Sequence, residues 1–228
     1  MIFCKKTWFH IQYENQMNIT EANEDMSFSE KEKERIRNVL GFFVKESNKN
    51  ILLVALFKRL FFLDRRSFLE TGVPFTKYTY SAKPQGPVPM GLEWELKGLD
   101  NPNPEFVGAD TVIKLRKPPS TKAEYDEYYY DLTDWDWEIN KKIFTPYELR
   151  LLEEIADCCK DKTGAELTQE AHKCCSWRKA FQSGRGDGEN VDFYDEAGSH
   201  DDPYTGEERE IMDKARHEMA QLFSTAET

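Results

Sequence analysis

The chain has 228 residues, of which 39% are hydrophobic and 13% are aromatic, and this apolar content is sufficient for a packed core. Its formal net charge of −11 argues against a general nucleic-acid-binding protein, because such proteins present a basic face to the phosphates. The composition therefore excludes a disordered chain, and the acidic surface suits either solubility or a basic partner.

Neither a membrane span nor a secretory signal is evident. The longest apolar segment, Ile51 to Leu63, is interrupted by Lys58 and Arg59, and it is shorter than the roughly 18 apolar residues of a spanning helix. The N-terminal segment lacks the apolar core and the cleavage site of a signal peptide. The five cysteines include two adjacent pairs, and an odd number indicates reduced thiols. We therefore expect a cytoplasmic protein without membrane contact.

The first elements are an arm and a helix. Residues 1–26 begin with aromatic side chains and then turn polar and acidic, which indicates an N-terminal arm that packs on the core or binds a partner. Ser27 or Ser29 can cap a helix whose first turn carries Glu30, Glu32 and Glu34. An apolar stripe on this helix predicts that it packs against the next helix as a hairpin.

The segment from Ile51 to Pro89 is the most informative part of the chain. Leucine and phenylalanine recur at helical spacing as far as Leu63, and Gly72 lies where a helix needs a left-handed C-terminal residue. Tyr78 and Tyr80 then alternate with small polar residues, as in a strand. The sequence Gly-Pro-Val-Pro that ends the segment predicts a turn, because two prolines withhold backbone donors.

The polar end of this helix offers the first candidate site. Asp64 can pair with a basic group, which would clamp the helix to the turn between Lys83 and Pro89. Alternatively, Arg65, Lys83 and Gln85 form a rim around a partner-binding site, and the strand at Tyr80 can be extended by a partner segment. The predicted partner-binding residues of this surface are Asp64, Arg65, Tyr78, Tyr80, Lys83, Gln85, Gly86, Pro87 and Pro89.

Residues 120–142 form a second candidate surface, because tyrosine, tryptophan and acidic residues are crowded there. One interpretation is a half-buried element whose aromatic side chains face the core. The other is a negative surface for a basic partner, since tyrosine and tryptophan are enriched at interface hot spots. The partner-binding candidates in this stretch are Tyr129, Trp135 and Trp137.

Two helices with good start signals follow, and neither supplies a metal site. Thr145 with Glu148 and Thr163 with Glu166 form capping boxes. The clustered cysteines and His172 lack the paired two-to-four-residue spacing of structural zinc sites, so small buried side chains are the favoured interpretation. No histidine lies in a nucleophile motif, and we expect no catalytic residue, no metal and no cofactor.

The C-terminal part is predicted to be an acidic loop followed by a helix. The glycine alternation at residues 184–188 lacks a preceding apolar strand, so it does not indicate a nucleotide site. The acidic residues around it do not fit a calcium loop. We therefore interpret residues 183–203 as a mobile acidic loop, and Thr205 with Glu208 as the start of a last helix.

Two blocks of this sequence resemble the Panacea domain of SocA-like antitoxins, a family associated with phages and mobile elements. They are LFKRLFFLDRRSFLETGVPFTKYTYSAKPQGPVP and, far downstream, TGAELTQEAHKCCSWRKAF. The family favours a histidine at the position of His172, just before the tryptophan matched by Trp177. For this histidine we weigh a structural role, in which it holds a helix junction by a hydrogen bond, against a direct partner contact. The aromatic and acidic excess of residues 120–142 departs from the family pattern.

The resemblance implies an α+β fold, mainly α, with a small antiparallel sheet or hairpin. We expect a domain over residues 27–196, preceded by the arm 1–26 and followed by residues 197–228. By resemblance the protein is a non-enzymatic antitoxin that binds a cognate toxin encoded by an adjacent gene, with an ATP-dependent protease as a further partner where members act as adaptors. The alternatives are a transcriptional regulator of its own operon and an interaction module without antitoxin activity.

Overall fold

The computed structural model describes residues 28–47, 50–97, 106–107, 111–116, 128–196, 199–211 and 214. The chain divides into two compact units, residues 1–35 and residues 36–228. In the first unit the described part includes the start of helix α1 (Glu30–Glu46), where Ser29 Oγ accepts a hydrogen bond from the Glu32 backbone N–H at 3.4 Å. The predicted arm, residues 1–26, lies outside the described residues.

Helices dominate the second unit. They are α2 (Leu53–Thr71), α3 (Leu92–Lys97), α4 (Pro146–Cys159), α5 (Gly164–Lys173) and α6 (Cys175–Phe181), and residues 206–211 are also helical. Single 3₁₀ turns lie at Lys141–Ile143, Gln182–Gly184 and Phe193–Glu196. Within the described parts of the chain, no helix has both the length and the apolar character needed to cross a membrane.

The described strands form two small antiparallel sheets. In the first, β5 (Tyr129–Leu132) lies between β1 (Ile51–Leu52) and β4 (Ile113–Arg116). In the second, β2 (Tyr80–Lys83) lies between β3 (Gly86–Pro89) and β6 (Asn190–Val191). This arrangement confirms the predicted α+β fold, mainly α.

Helix α2 is the centre of the core. Its side chains from Leu53 to Leu63 are buried except for Phe62, which is half-buried, and α4, α5 and β3 pack around it. The helix ends at Gly72, whose φ of 76° is favourable for glycine, and the Gly72 N–H donates to the Phe68 carbonyl at 2.7 Å. The predicted role of Gly72 as the C-terminal residue is therefore confirmed.

Both predicted capping boxes are present. Thr145 Oγ1 accepts from the Glu148 backbone N–H at 3.2 Å, and the Glu148 carboxylate accepts from the Thr145 N–H at 2.7 Å. Thr163 and Glu166 repeat the arrangement with the same distances at the start of α5. These local signals fix where the two helices begin, as sequence reasoning predicts.

Two predictions from composition are corrected. The Gly-Pro-Val-Pro segment is the strand β3 rather than a turn, and its prolines are tolerated because β3 is an edge strand of its sheet.

Residues 183–196 are not a mobile loop. The Gly188 N–H donates to the Ala82 carbonyl and the Ala82 N–H donates to the Glu189 carbonyl, both at 2.7 Å. Phe193 is buried and stacks on Phe61 with a ring-centroid distance of 5.6 Å.

Candidate functional site

The β2–β3 hairpin is anchored to α2 by a buried lysine. Lys58 is fully buried, and its Nζ donates to the Pro87 carbonyl at 2.8 Å. Gly86 has a φ of +90°, and a Cβ added there would lie 2.8 Å from Lys58 Cε. The lysine stem therefore fills the space that a side chain at Gly86 would need, and the hairpin can approach the helix closely.

A second anchor lies at the other end of the hairpin and uses Asp64. The fully buried carboxylate accepts hydrogen bonds from the Thr76 backbone N–H at 2.5 Å, from Thr76 Oγ1 at 2.6 Å and from the Tyr80 hydroxyl at 2.5 Å. The predicted pairing with a basic group is therefore wrong, since neutral donors occupy this site. Burial raises the pKa of Asp64 to about 6, although the hydrogen bonds from Thr76 and Tyr80 oppose that shift.

Burial has the opposite effect on Lys58. It lowers the pKa of the ammonium group to about 7, and the nearby carboxylate of Glu93 opposes the shift. Because the pKa of Lys58 is lower in the folded chain than in the unfolded chain, the unfolded chain binds more protons between about pH 7 and 10. The contribution of this group to stability therefore rises with pH over that range and is lost as the pH falls through 7.

We expect the Lys58→Met variant to lack this pH dependence. The free energy of unfolding of the wild-type chain, relative to that of the variant, should increase by the order of 1–3 kcal/mol between pH 7 and pH 9. Urea unfolding at half-unit pH intervals measures the difference. Lys160→Met, which removes an exposed lysine, is the control and should run parallel to the wild type. A constant difference between wild type and Lys58→Met would contradict the lowered pKa.

Aromatic rings hold the opposite side of the hairpin turn. The His172 ring stacks on Trp177 with centroids 4.0 Å apart, and Trp177 stacks on Phe181 at 4.6 Å. Trp177 Nε1 donates to the Lys83 carbonyl at 3.2 Å, and His172 hydrogen-bonds the Pro84 backbone. Burial and the Lys58 charge lower the pKa of His172. This geometry supports the structural role for His172 and Trp177, at the junction of α5, α6 and the hairpin.

Arg65 is held by an internal ion-pair cluster. Its Nη2 lies 2.8 Å from Glu196 Oε2 and 2.9 Å from Asp201 Oδ2. Glu196 is fully buried and also accepts from the Ser176 backbone N–H and hydroxyl at 2.9 and 2.6 Å. The alternative in which Arg65 forms a partner-facing rim with Lys83 and Gln85 is therefore corrected, because its guanidinium joins α2 to Glu196 and Asp201.

The predicted hairpin surface separates into buried and exposed members. Six of its residues lie inside the molecule, where a partner cannot reach their side chains: Asp64, Tyr78, Tyr80, Gly86, Pro87 and Pro89. Lys83 is partly exposed and Gln85 is exposed, and both lie at the hairpin turn together with exposed Pro84. The prediction of partner contact is therefore retained for Lys83 and Gln85.

A pocket of about 220 Å³ opens beside this turn. Its apolar walls are Leu53, Val54 and Phe57 of α2 and Val88 of β3, and its polar lining residues are Lys83, Gln85, Glu93 and Asp187, together with Pro84. Lys83 Nζ lies 3.5 Å from Asp187 Oδ1. The hairpin turn and the pocket together form the candidate site, which we call the hairpin pocket.

The aromatic and acidic residues near position 135 lie elsewhere on the chain and do not line this pocket. Tyr129 is half-buried in β5, and Trp137 is half-buried against Gly41 of α1. Trp135 is 47% exposed, as the partner-binding interpretation requires. Lys45 Nζ donates to the Trp137 carbonyl at 2.8 Å, which ties this stretch to α1. Of the three candidates, only Trp135 is exposed.

Several residues that shape the site were missed from the sequence. Lys58 interrupts the apolar segment by residue type, although its position between Phe57 and Leu60 is compatible with burial. Glu93 and Asp187 carried no local signal, because the fold brings them to the pocket from distant segments. Among the described residues, no group of histidine, cysteine, aspartate and glutamate side chains could hold a metal ion.

The comparisons with known proteins identify the family. The family model described as "Antitoxin SocA-like, Panacea domain" matches residues 56–178, which is more than half of the 228-residue chain. Searches of the curated proteins and of the solved structures returned no match. The matched segment begins in α2 and ends in α6, so it includes both anchors of the hairpin and the stacked pair His172 and Trp177. The chain therefore belongs to the SocA-like antitoxin family that is defined by the Panacea domain.

Proposed function

We propose that this protein is the antitoxin of a toxin–antitoxin pair and that it neutralises its toxin by direct binding rather than by catalysis. Membership of the SocA-like family over residues 56–178 is the observation that carries this proposal. The four described cysteines are free, which supports action in the reducing cytosol. The toxin is the product of a gene adjacent to the one that encodes this chain.

The hairpin pocket is the proposed contact surface for the toxin. Its turn is anchored, because Lys58 donates to the Pro87 carbonyl, Trp177 donates to the Lys83 carbonyl and His172 hydrogen-bonds the Pro84 backbone. Anchored turns lose little conformational entropy on binding, which favours affinity. The exposed residues Pro84 and Gln85 lie at the tip, where a partner can reach them without unfolding any element.

We expect a bulky substitution at the tip to block the complex without destabilising the fold. Gln85→Trp should weaken binding of the adjacent gene product by about tenfold or more, because the new indole ring occupies the edge of the pocket. The melting temperature should change by no more than about 2 °C, since the side chain of Gln85 is exposed. The control is Glu153→Trp, which introduces the same ring at an exposed position of α4.

The assay has a growth arm and a binding arm. The adjacent gene is expressed in bacteria with and without the wild-type chain, and growth is scored before a tagged pull-down. Growth inhibition that the chain relieves, together with a stable complex, is the expected result. If the adjacent gene product is toxic and this chain neither relieves toxicity nor binds it, the antitoxin proposal is wrong. If Gln85→Trp binds as tightly as the wild type, the contact surface lies elsewhere.

A further inference from the structure

The hairpin pocket has apolar walls, and a few charged side chains complete its lining. Leu53, Val54, Phe57 and Val88 provide its apolar walls, and each is less than 10% exposed. The side chains of Lys83 and Asp187 are 41% and 51% exposed, and they form an ion pair. An apolar concavity with a polar rim is the usual form of a pocket that receives one anchor side chain at a protein interface.

The volume of the pocket restricts what can enter it. Pockets for drug-sized molecules and cofactors span roughly 300–1,000 Å³, and this pocket of about 220 Å³ is smaller. An apolar cavity of about 150 Å³ accepts a single benzene ring. The pocket therefore suits one large apolar side chain better than a metabolite or cofactor.

The charges that line the pocket favour a basic neighbour for that side chain. The ionisable lining residues are two carboxylates, Glu93 and Asp187, and one ammonium, Lys83. The chain as a whole carries a net charge of −11, so its long-range field also attracts cationic segments. Complementary charge at an interface rim selects partners and speeds their association.

We infer that the hairpin pocket receives one large apolar side chain, flanked by lysine or arginine, from a basic segment of the partner protein. This inference rests on the proposed function, because it specifies what the toxin presents to the antitoxin. The apolar walls provide affinity through desolvation, whereas the carboxylates select the basic flanking residues. The Lys83–Asp187 pair opens or rearranges at small cost, because exposed ion pairs contribute only about 0–1 kcal/mol.

Peptide titration tests the inference without the toxin. The ¹⁵N-labelled full chain is titrated with three peptides, Ac-Gly-Lys-Leu-Lys-Gly-NH₂, the same peptide with glutamate in place of lysine, and the lysine peptide with alanine in place of leucine. We expect amide shifts at Leu53, Gln85 and Val88 with the lysine–leucine peptide. Binding of the alanine peptide should be about tenfold weaker, because the deleted methyl and methylene groups no longer fill the pocket.

Reversal of one lining charge provides the second test. Asp187→Lys should weaken binding of the lysine–leucine peptide by about two- to fivefold and should strengthen binding of the glutamate–leucine peptide. Asp157→Lys makes the same charge change on α4, away from the pocket, and should alter neither affinity. Equal affinities for the two charged peptides, shifts outside the pocket, or no shifts at about 10 mM peptide would overturn the inference.

The two proposals fail in different ways. Relief of toxicity by the wild-type chain with no peptide binding in the pocket would leave the antitoxin function standing and overturn the pocket inference. Peptide binding with the expected charge preference, in a chain that neither binds nor neutralises the adjacent gene product, would instead overturn the antitoxin function and with it the identity of the partner as a toxin.

Discussion

Replacement of Asp64 by alanine is expected to destabilise the protein by about 3 kcal/mol or more. The carboxylate accepts hydrogen bonds from the Thr76 N–H, the Thr76 hydroxyl and the Tyr80 hydroxyl in a fully buried site. Alanine leaves these donors without their acceptor, and each buried donor that loses its partner costs about 1–3 kcal/mol. Urea unfolding followed by tryptophan fluorescence measures the loss.

Asparagine at position 64 separates the hydrogen bonds from the charge. Its amide oxygen can accept from the Thr76 N–H, and its NH₂ group can donate to the hydroxyls of Thr76 and Tyr80, which are able to accept. Asp64→Asn should therefore lose less stability than Asp64→Ala. A loss below about 1 kcal/mol for alanine would show that the three donors find other partners, and the anchor role of Asp64 would be wrong.

The pH dependence of Asp64 has a definite sign. Its pKa is about 6 in the folded chain against an ordinary value of 3.8, so the folded chain binds more protons between these values. The stability contributed by this group is present below pH 3.8 and is lost as the pH rises through 6. The wild-type chain should thus lose about 2 kcal/mol relative to Asp64→Asn between pH 4 and pH 7. A constant difference across this range would contradict the raised pKa.

The parts of this fold that the sequence predicts are those with local causes. The apolar run of α2, its end at Gly72 and the starts of α4 and α5 all depend on residues within one or two helical turns of each other. The capping boxes at Thr145 and Thr163 are examples, because cap and partner are three residues apart. Periodicity and capping signals are therefore sufficient to predict them.

The parts that the sequence does not predict depend on distant pairs. Arg65 meets Glu196, which is 131 residues away, so no local pattern distinguishes an internal ion pair from a partner-facing rim. The charged side chains of Lys58 and Asp64 suggest surface positions by residue type, but both residues are fully buried. Residues 183–196 read as a loop from their glycines and acidic residues, because the strand β6 that orders them pairs with β2.

Glu196→Ala is expected to cost about 3–5 kcal/mol, because it removes the buried acceptor of a charged group. The Glu196 carboxylate contacts Arg65 Nη2 at 2.8 Å and the Ser176 hydroxyl at 2.6 Å, and its side chain has no exposed surface. In the alanine variant, the Arg65 side chain, which is 13% exposed, loses its ion pair with Glu196 and keeps the one with Asp201. Glu154→Ala breaks an exposed pair with Arg150 and is the control, with an expected loss of about 0.5 kcal/mol or less.

A double-mutant cycle with Arg65→Met decides whether the pair itself is the cause. Arg65→Met and Glu196→Ala each remove one member of the Arg65–Glu196 pair, whereas the double variant removes both, so the two losses should not add and the coupling should be about 1–3 kcal/mol. Burial raises the pKa of Glu196, but the hydrogen bonds from Arg65 and Ser176 outweigh it and hold the pKa below 4.5. The stability from Glu196 is thus present above pH 4.5 and is lost in acid. Additive losses would mean that Glu196 acts through Ser176 at the start of α6, and the ion pair would then be incidental to the packing of Phe193–Glu196 on α2.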